Sequence, residues 1–120
     1  LKEVTGKDCT IFRFPGGSHN TLVRNAHGSS FTENIILKLN EQGINCYDWN
    51  VDSGDAKGNN IPAATIYNNV VKESRDKNGE LKSPAIVLMH DCMTKTTTVE
   101  ALPKIIQYFK EQGYKFDTLN

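Results

Sequence analysis

Neither sign of charge prevails in this chain, because fourteen lysines and arginines cancel fourteen aspartates and glutamates. That balance gives no net basic charge of the kind that points to nucleic acid or an anionic membrane. No apolar run approaches the length of a membrane span. Cysteine is scarce: Cys9, Cys46 and Cys92 make neither a dense disulfide scaffold nor a CxxC metal site. There is no HxxxH or HExxH pair, no GxxxxGK(S/T) phosphate loop and no GxSxG nucleophile elbow. An initiator methionine and a signal-like start are also missing, and Leu1-Lys2-Glu3-Val4 reads as the tail of a helix, so the chain is expected to begin in mid-domain. Apolar residues make up 38% of the 120, enough for the core of one domain but not a generous one.

What the chain does have is one shape repeated three times. TIFRFPGGS (10–18), CYDWNVDSGD (46–55) and PAIVLMHD (84–91) are each a β-like apolar run ending abruptly in polar residues or glycine. Their spacing is about one βαβ unit, which needs roughly 30 or more residues. Parallel strands whose carboxyl ends all carry polar side chains are how α/β sheets and barrels assemble sites along one edge.

The intervening segments fit crossovers. Thr10–Phe14 reads as a first strand, stopped by Pro15-Gly16-Gly17, and residues 18–28 read as polar and irregular. Ser30 with Glu33 reads as a capping box opening a helix through Ile36, Leu37 and Leu39 to Gly43. Ile44–Val51 reads as the second strand. Pro62 reads as the first-turn residue of a helix reaching about Arg75, and Pro84–Met89 as a third strand covered on both faces. Thr97 with Glu100 reads as a second capping box, opening a helix through Gln112 with Pro103 near its first turns. Tyr114–Leu119 reads as a fourth short strand. The expectation is a single α/β domain over residues 1–120 with mainly parallel strands.

Several residues could carry chemistry. His90, at the end of the third strand, suits a general acid or base near neutral pH, or else caps the strand by bonding a backbone carbonyl. Asp52 and Asp55 flank Ser53-Gly54; either carboxylate could orient the histidine, or the four residues form an ordinary turn. Asp48 is expected to face solvent or a helix. Arg13 can hold a carboxylate in a two-pronged grip, and the glycines after Pro15 let backbone amides approach a ligand oxygen; the plainer alternative is a surface arginine beside a tight turn. His19 and His27 read as surface residues, Trp49 as core, and Ser18 and Ser53 lack a triad signature. Cys9 and Cys46 begin predicted strands, so a disulfide is geometrically allowed, against the alternative of two small half-buried thiols.

Taken together and in this order, the three strand ends resemble the later motifs of the polysaccharide deacetylases, the NodB-homology domains of carbohydrate esterase family 4. FRFPGGS (12–18) is similar to the family's Arg-x-Pro motif through Arg13 and Pro15. DSGDA (52–56) matches both aspartates of Asp-x-x-Asp-Trp, and LMH (88–90) matches Leu-x-His. The closing helix and strand, VEALPKIIQYFKEQGYKFDTLN, also look like the end of that domain. The resemblance implies a distorted (β/α) barrel that removes N-acetyl groups from polymeric amino sugars with a divalent metal, usually zinc. Under it His90 would be the general acid, Asp55 would tune and orient it, and Arg13 would pair with the catalytic-base aspartate. Leu88 would line the acetyl pocket, Asp52 would join the substrate-binding loop, and the backbone after Pro15, at Gly16, would supply an oxyanion donor.

Two departures accompany the resemblance. The tryptophan expected after the second aspartate is Ala56, and the motifs that supply the base and the metal ligands, Thr-Phe-Asp-Asp-Gly and a paired-histidine run, are absent. The expectation is therefore a partial barrel lacking its N-terminal strands, with no metal ligands in this chain and the ligands lying upstream. A second segment or a second chain would complete it, and no turnover is expected from these 120 residues alone. The implied setting is extracellular or at the cell wall, with peptidoglycan N-acetylglucosamine as substrate. Two other readings stand beside it: a degenerate domain that holds glycan without hydrolysing it, and an unrelated α/β domain binding a small anion at Pro15-Gly16-Gly17.

Overall fold

The structure, a computed structural model, describes residues 2–119. Along the chain run α1 (Lys2–Thr5), β1 (Ile11–Phe12), α2 (Thr21–His27), α3 (Phe31–Asn40), β2 (Asn45–Cys46) and β3 (Val51–Asp52). A 3-10 turn (Asp55–Lys57), α4 (Ala63–Glu73), β4 (Val87–Leu88) and α5 (Thr96–Glu111) follow. The strands are short and pair in parallel, β1 with β2 and β3 with β4. The mixed α/β class and the parallel pairing agree with the sequence expectation. The described residues form two compact units, 2–48 with 117–119 and Trp49–Phe116.

In the first unit, Ile11 and Phe12 lie opposite Asn45 and Cys46. Residues 18–28 are not irregular as expected. Asn20 accepts from the Leu22 amide at 2.9 Å and opens α2, which buries none of its residues. A cap rather than an apolar stripe starts this helix, so periodicity could not reveal it. The capping box expected at Ser30 does not form: Ser30 sits at φ −88°, ψ −2° and makes no side-chain cap bond. A cap hydroxyl reaches the first amides from extended backbone, and near-helical angles turn it away. Gly43, at φ 73°, does end the helix region, with the Ile44 amide bonding back to Leu39 O. Cys9 and Cys46 are both free; the register sets Phe12, not Cys9, opposite Cys46.

The expected second strand, 44–51, is broken. Its first part ends with the Tyr47 amide on Phe12 O, and its last part pairs with β4 instead. Asn50 makes the switch. Its Nδ2 donates to Pro84 O and its Oδ1 accepts from the Ile86 amide, both at 2.8 Å, so a side-chain amide stands in for one backbone ladder step.

The core lies in the second unit. Val51 from β3, Ile66 and Val70 from α4, and Ala101, Ile105, Tyr108 and Phe109 from α5 are buried together. Their helical spacings of three to four residues bring one stripe of each helix inward. Pro62 stands at the N-cap of α4 with extended backbone (φ −55°, ψ 138°), one residue before the position expected. The capping box at Thr97 is also absent: α5 starts at Thr96 after Lys95, with no side-chain cap bond, and Pro103 lies inside the helix, seven residues past its start. Residues 114–119 form no strand. Tyr114 folds back instead, its amide on Phe109 O, its ring 5.1 Å from that of Phe109 and its hydroxyl on Lys82 O.

Candidate active site

The second unit brings three polar features to the carboxyl ends of β3 and β4. After Val51, alternate residues Ser53 and Asp55 continue inward and are fully or almost fully buried, while Asp52 points out. The chain turns at Gly54, which adopts φ 70°, ψ 11°. A Cβ there would come within 2.6 Å of Asn69 Nδ2, so both backbone angle and space call for glycine. Asp52 Oδ1 accepts the Gly54 amide at 2.8 Å, and Asn69 Nδ2 donates to Ser53 O at 3.0 Å. This braced turn delivers the Asp55 carboxylate into the interior.

Asp55 is 1% exposed. The His90 ring nitrogen Nδ1 lies 2.7 Å from Oδ1, the His90 backbone amide donates to Oδ2 at 2.8 Å, and Thr98 Oγ1 donates to Oδ2 at 3.0 Å. Lys95 Nζ donates to the Asp55 and Gly58 carbonyls at 2.5 and 2.7 Å. Burial alone would push the carboxyl toward its neutral form. The bonds from the His90 ring, the His90 backbone and Thr98 outweigh it and hold the carboxyl below its ordinary value. Asp55 is therefore an anion near neutral pH. His90 follows β4 with its side chain 42% exposed, so one edge of the ring is anchored and the rest reaches solvent. The Nδ1 hydrogen goes to the carboxylate, which leaves Nε2 as the nitrogen able to exchange a proton. Leu88, two residues earlier, is buried.

Arg13, Pro15 and Gly16 belong to the first unit. Arg13 is exposed just past β1. The turn that follows is tight: the Gly17 amide bonds Phe14 O, Gly16 has φ 74°, and a Cβ on Gly16 would meet Asn20 Nδ2 at 2.5 Å. Asp48, expected to face solvent or a helix, faces this turn instead. It accepts from the Ser18 amide at 3.0 Å and from the Ser18 hydroxyl. His19 Nδ1 lies 2.7 Å from Ser18 Oγ, and with the hydroxyl hydrogen given to Asp48 the ring donates to the oxygen.

The structure thus joins Asp52, Asp55, Leu88 and His90 in one unit and Arg13, Pro15 and Gly16 in the other. Sequence reasoning missed Lys95, Thr98 and the Ser18–Asp48 pair. Thr98 sits in a threonine run read as a cap, and only a buried carboxylate in need of donors could have singled it out. Among the described residues, no group of three or more histidine, cysteine, aspartate or glutamate side chains could hold a metal ion. The donor set around Asp55 consists of N–H and O–H groups, which suits an anion and not a cation.

No protein-family model matches the chain. It is 34% identical over 120 residues to YheN of Bacillus subtilis (strain 168), whose name ranks it provisionally as a polysaccharide deacetylase; the match takes in 99% of this chain and 37% of that protein. The catalytic domain of a peptidoglycan N-acetylglucosamine deacetylase from Eubacterium rectale superposes with a TM-score of 0.77 at 32% identity, over 99% of this chain and 50% of that one. A carbohydrate esterase family 4 enzyme of Streptococcus mutans gives a TM-score of 0.78 at 31% identity, over 99% and 48%. The chain therefore spans little more than a third of its first curated relatives and about half of the solved domains. These matches bear out the resemblance to the polysaccharide deacetylases that the three strand-end motifs carry.

Proposed function

We propose, on the premise of that kinship with the polysaccharide deacetylases, that this chain is part of a hydrolase that removes acetyl groups from acetamido sugars. The substrate would be cell-wall polysaccharide, with peptidoglycan N-acetylglucosamine first among the choices, and the setting extracellular or at the cell wall. Residues 1–120 would be a portion of one catalytic domain, a distorted (β/α) barrel completed by further residues of the same protein or by a second chain.

The observation that carries this reading is the 2.7 Å contact between His90 Nδ1 and Asp55 Oδ1 at the carboxyl end of β4. Amide hydrolysis adds water to the acetyl carbonyl and then breaks the C–N bond. The departing nitrogen is too basic to leave as an anion and must take a proton as the bond breaks. His90 would deliver it from Nε2 while Asp55 holds the ring and offsets its charge. Acetate and the free amine result. Leu88 would line the pocket for the acetyl methyl, Asp52 would brace the loop that meets the sugar, and the Gly16 amide would face the developing oxyanion. Arg13 would pair with the base aspartate. That base and the ligands of a divalent metal, zinc, would come from residues outside these 120.

Acetate release by the complete protein tests the reading. His90→Ala should lower kcat by about a hundredfold or more, and an unchanged kcat would sink the role. The isolated chain should show no turnover. A second reading, a domain that holds glycan without hydrolysing it, is favoured by Ala56, which stands where the family has tryptophan. Zinc titration of the complete protein separates the two, since a binder that has lost the ligands takes up no stoichiometric metal.

A further inference from the structure

Thr98, in the first turn of α5, is 5% exposed, and its hydroxyl is directed at Asp55 Oδ2, 3.0 Å away. The same oxygen takes the His90 backbone amide at 2.8 Å. With Oδ2 held from two sides, Oδ1 is left to the His90 ring, and the carboxylate can neither rotate nor slide away from Nδ1. Lys95, which caps the same helix, grips the backbone carbonyls of Asp55 and Gly58 and fixes the other end of the residue. The head of α5 therefore holds both the main chain and the side chain of Asp55.

We propose that Thr98 is a positioning residue for the His90–Asp55 pair, and that its hydroxyl sets how much negative charge Oδ1 presents to the ring. A donor on Oδ2 draws electron density from the whole carboxylate and weakens it as a base toward Nδ1. Removing that donor makes the carboxylate more basic and frees it to turn. The catalytic part of this inference rests on the proposed role of His90; the structural part does not. Other titratable side chains on the elements around the pair are Asp52 on β3, Lys57 in the 3-10 turn, Asp91 and Cys92 after β4, Tyr67, Lys72 and Glu73 on α4, and Lys95, Glu100, Lys104, Tyr108, Lys110 and Glu111 at the head of and along α5. None of these donates to the carboxylate oxygens in place of Thr98; from α4, Asn69 reaches only the Ser53 carbonyl.

The test is made in the complete protein by following the Asp55 side-chain carboxyl with carbon-13 NMR across acid pH. Thr98→Val keeps the shape and loses the hydroxyl, so the midpoint should rise by about half a pH unit or more; Thr98→Ser should restore it. Acetate release should show kcat falling several-fold for Thr98→Val with KM little changed, and recovering in Thr98→Ser. A folded Thr98→Val protein with an unmoved Asp55 midpoint overturns the inference, as does failure of Thr98→Ser to restore a shifted one. If Thr98→Val does not fold, Thr98→Ala gives the same reading. A shifted midpoint with unchanged turnover would uphold the placement of Thr98 and overturn its effect on catalysis, while the role of His90 itself stands or falls with His90→Ala.

Discussion

The imidazole of His90 and the carboxylate of Asp55 are bonded twice, by ring Nδ1 to Oδ1 at 2.7 Å and by backbone amide to Oδ2 at 2.8 Å. The parallel pairing of β3 with β4 makes this double contact available: Asp52 stands opposite Leu88, so the chain three residues on from Asp52 meets the chain two residues on from Leu88. One bond fixes the ring, and the other ties the carboxylate to the backbone that carries the ring. Neither partner can drift without the other.

Asp55→Asn should keep the fold and lose most of the activity. The amide preserves shape but turns one oxygen into a donor facing groups that already donate. We expect kcat of the complete protein to fall by about a hundredfold with KM nearly unchanged. Acetate release measured against substrate concentration checks this; equal kcat for the two proteins would dismiss a role for the carboxylate.

Acid should destabilise the fold through Asp55. Burial opposes its charge, but the His90 and Thr98 bonds win and leave the folded carboxyl below its unfolded value. A depressed value means that the stabilisation is complete above the unfolded carboxylate range. It is lost as pH falls below about 4 and through the folded value. Thermal melts of the complete protein from about pH 6 to pH 2.5 should fall more steeply for the wild type than for Asp55→Asn; parallel curves would contradict the assignment.

Asp48→Ala should loosen the Pro15–Gly17 turn. It removes the acceptor of two Ser18 bonds, and Ser18 is buried, so the amide and hydroxyl lose partners that water replaces poorly. A cost of about 1–2 kcal/mol follows. Denaturant titration gives the cost, and faster proteolysis within residues 15–20 would locate it. Unaltered cleavage there would mean that the turn holds without Asp48.

In the core, two substitutions should differ in size. Tyr108→Phe removes a hydroxyl 2.8 Å from Ser74 Oγ, yet Ser74 still donates to Val71 O, so the loss should be about 1 kcal/mol. Ile66→Ala, at a position with no exposure, should cost roughly 2–5 kcal/mol through lost burial and a cavity. Chemical denaturation of both variants checks the order, and a larger loss for Tyr108→Phe would show that the hydroxyl network matters more than packing.

The limits of sequence reading show at particular residues. The three strand ends were visible because apolar runs that stop at Gly or His are local patterns. The second strand looks continuous in sequence because Ile44, Cys46, Tyr47, Trp49 and Val51 recur along it with no glycine or proline between them; only the pairing of Asn50 with the backbone at Pro84 and Ile86 shows why it divides. Both capping boxes had the right residues, but a cap is a matter of backbone angle at one residue, and Ser30 does not have it. Helix α2 escaped notice because it buries nothing.

By itself, the sequence determined the α/β class, the parallel sense of the strands and the positions where polar side chains end strands. All of these follow from hydrophobic patterning and turn residues within a few positions of one another. Only the tertiary structure decided which side chains meet. Asp55 reaches His90, 35 positions away, and Thr98, 43 positions away, and Asp48 reaches Ser18 across 30. A buried carboxylate must find its donors wherever the fold puts them, and no local pattern encodes that.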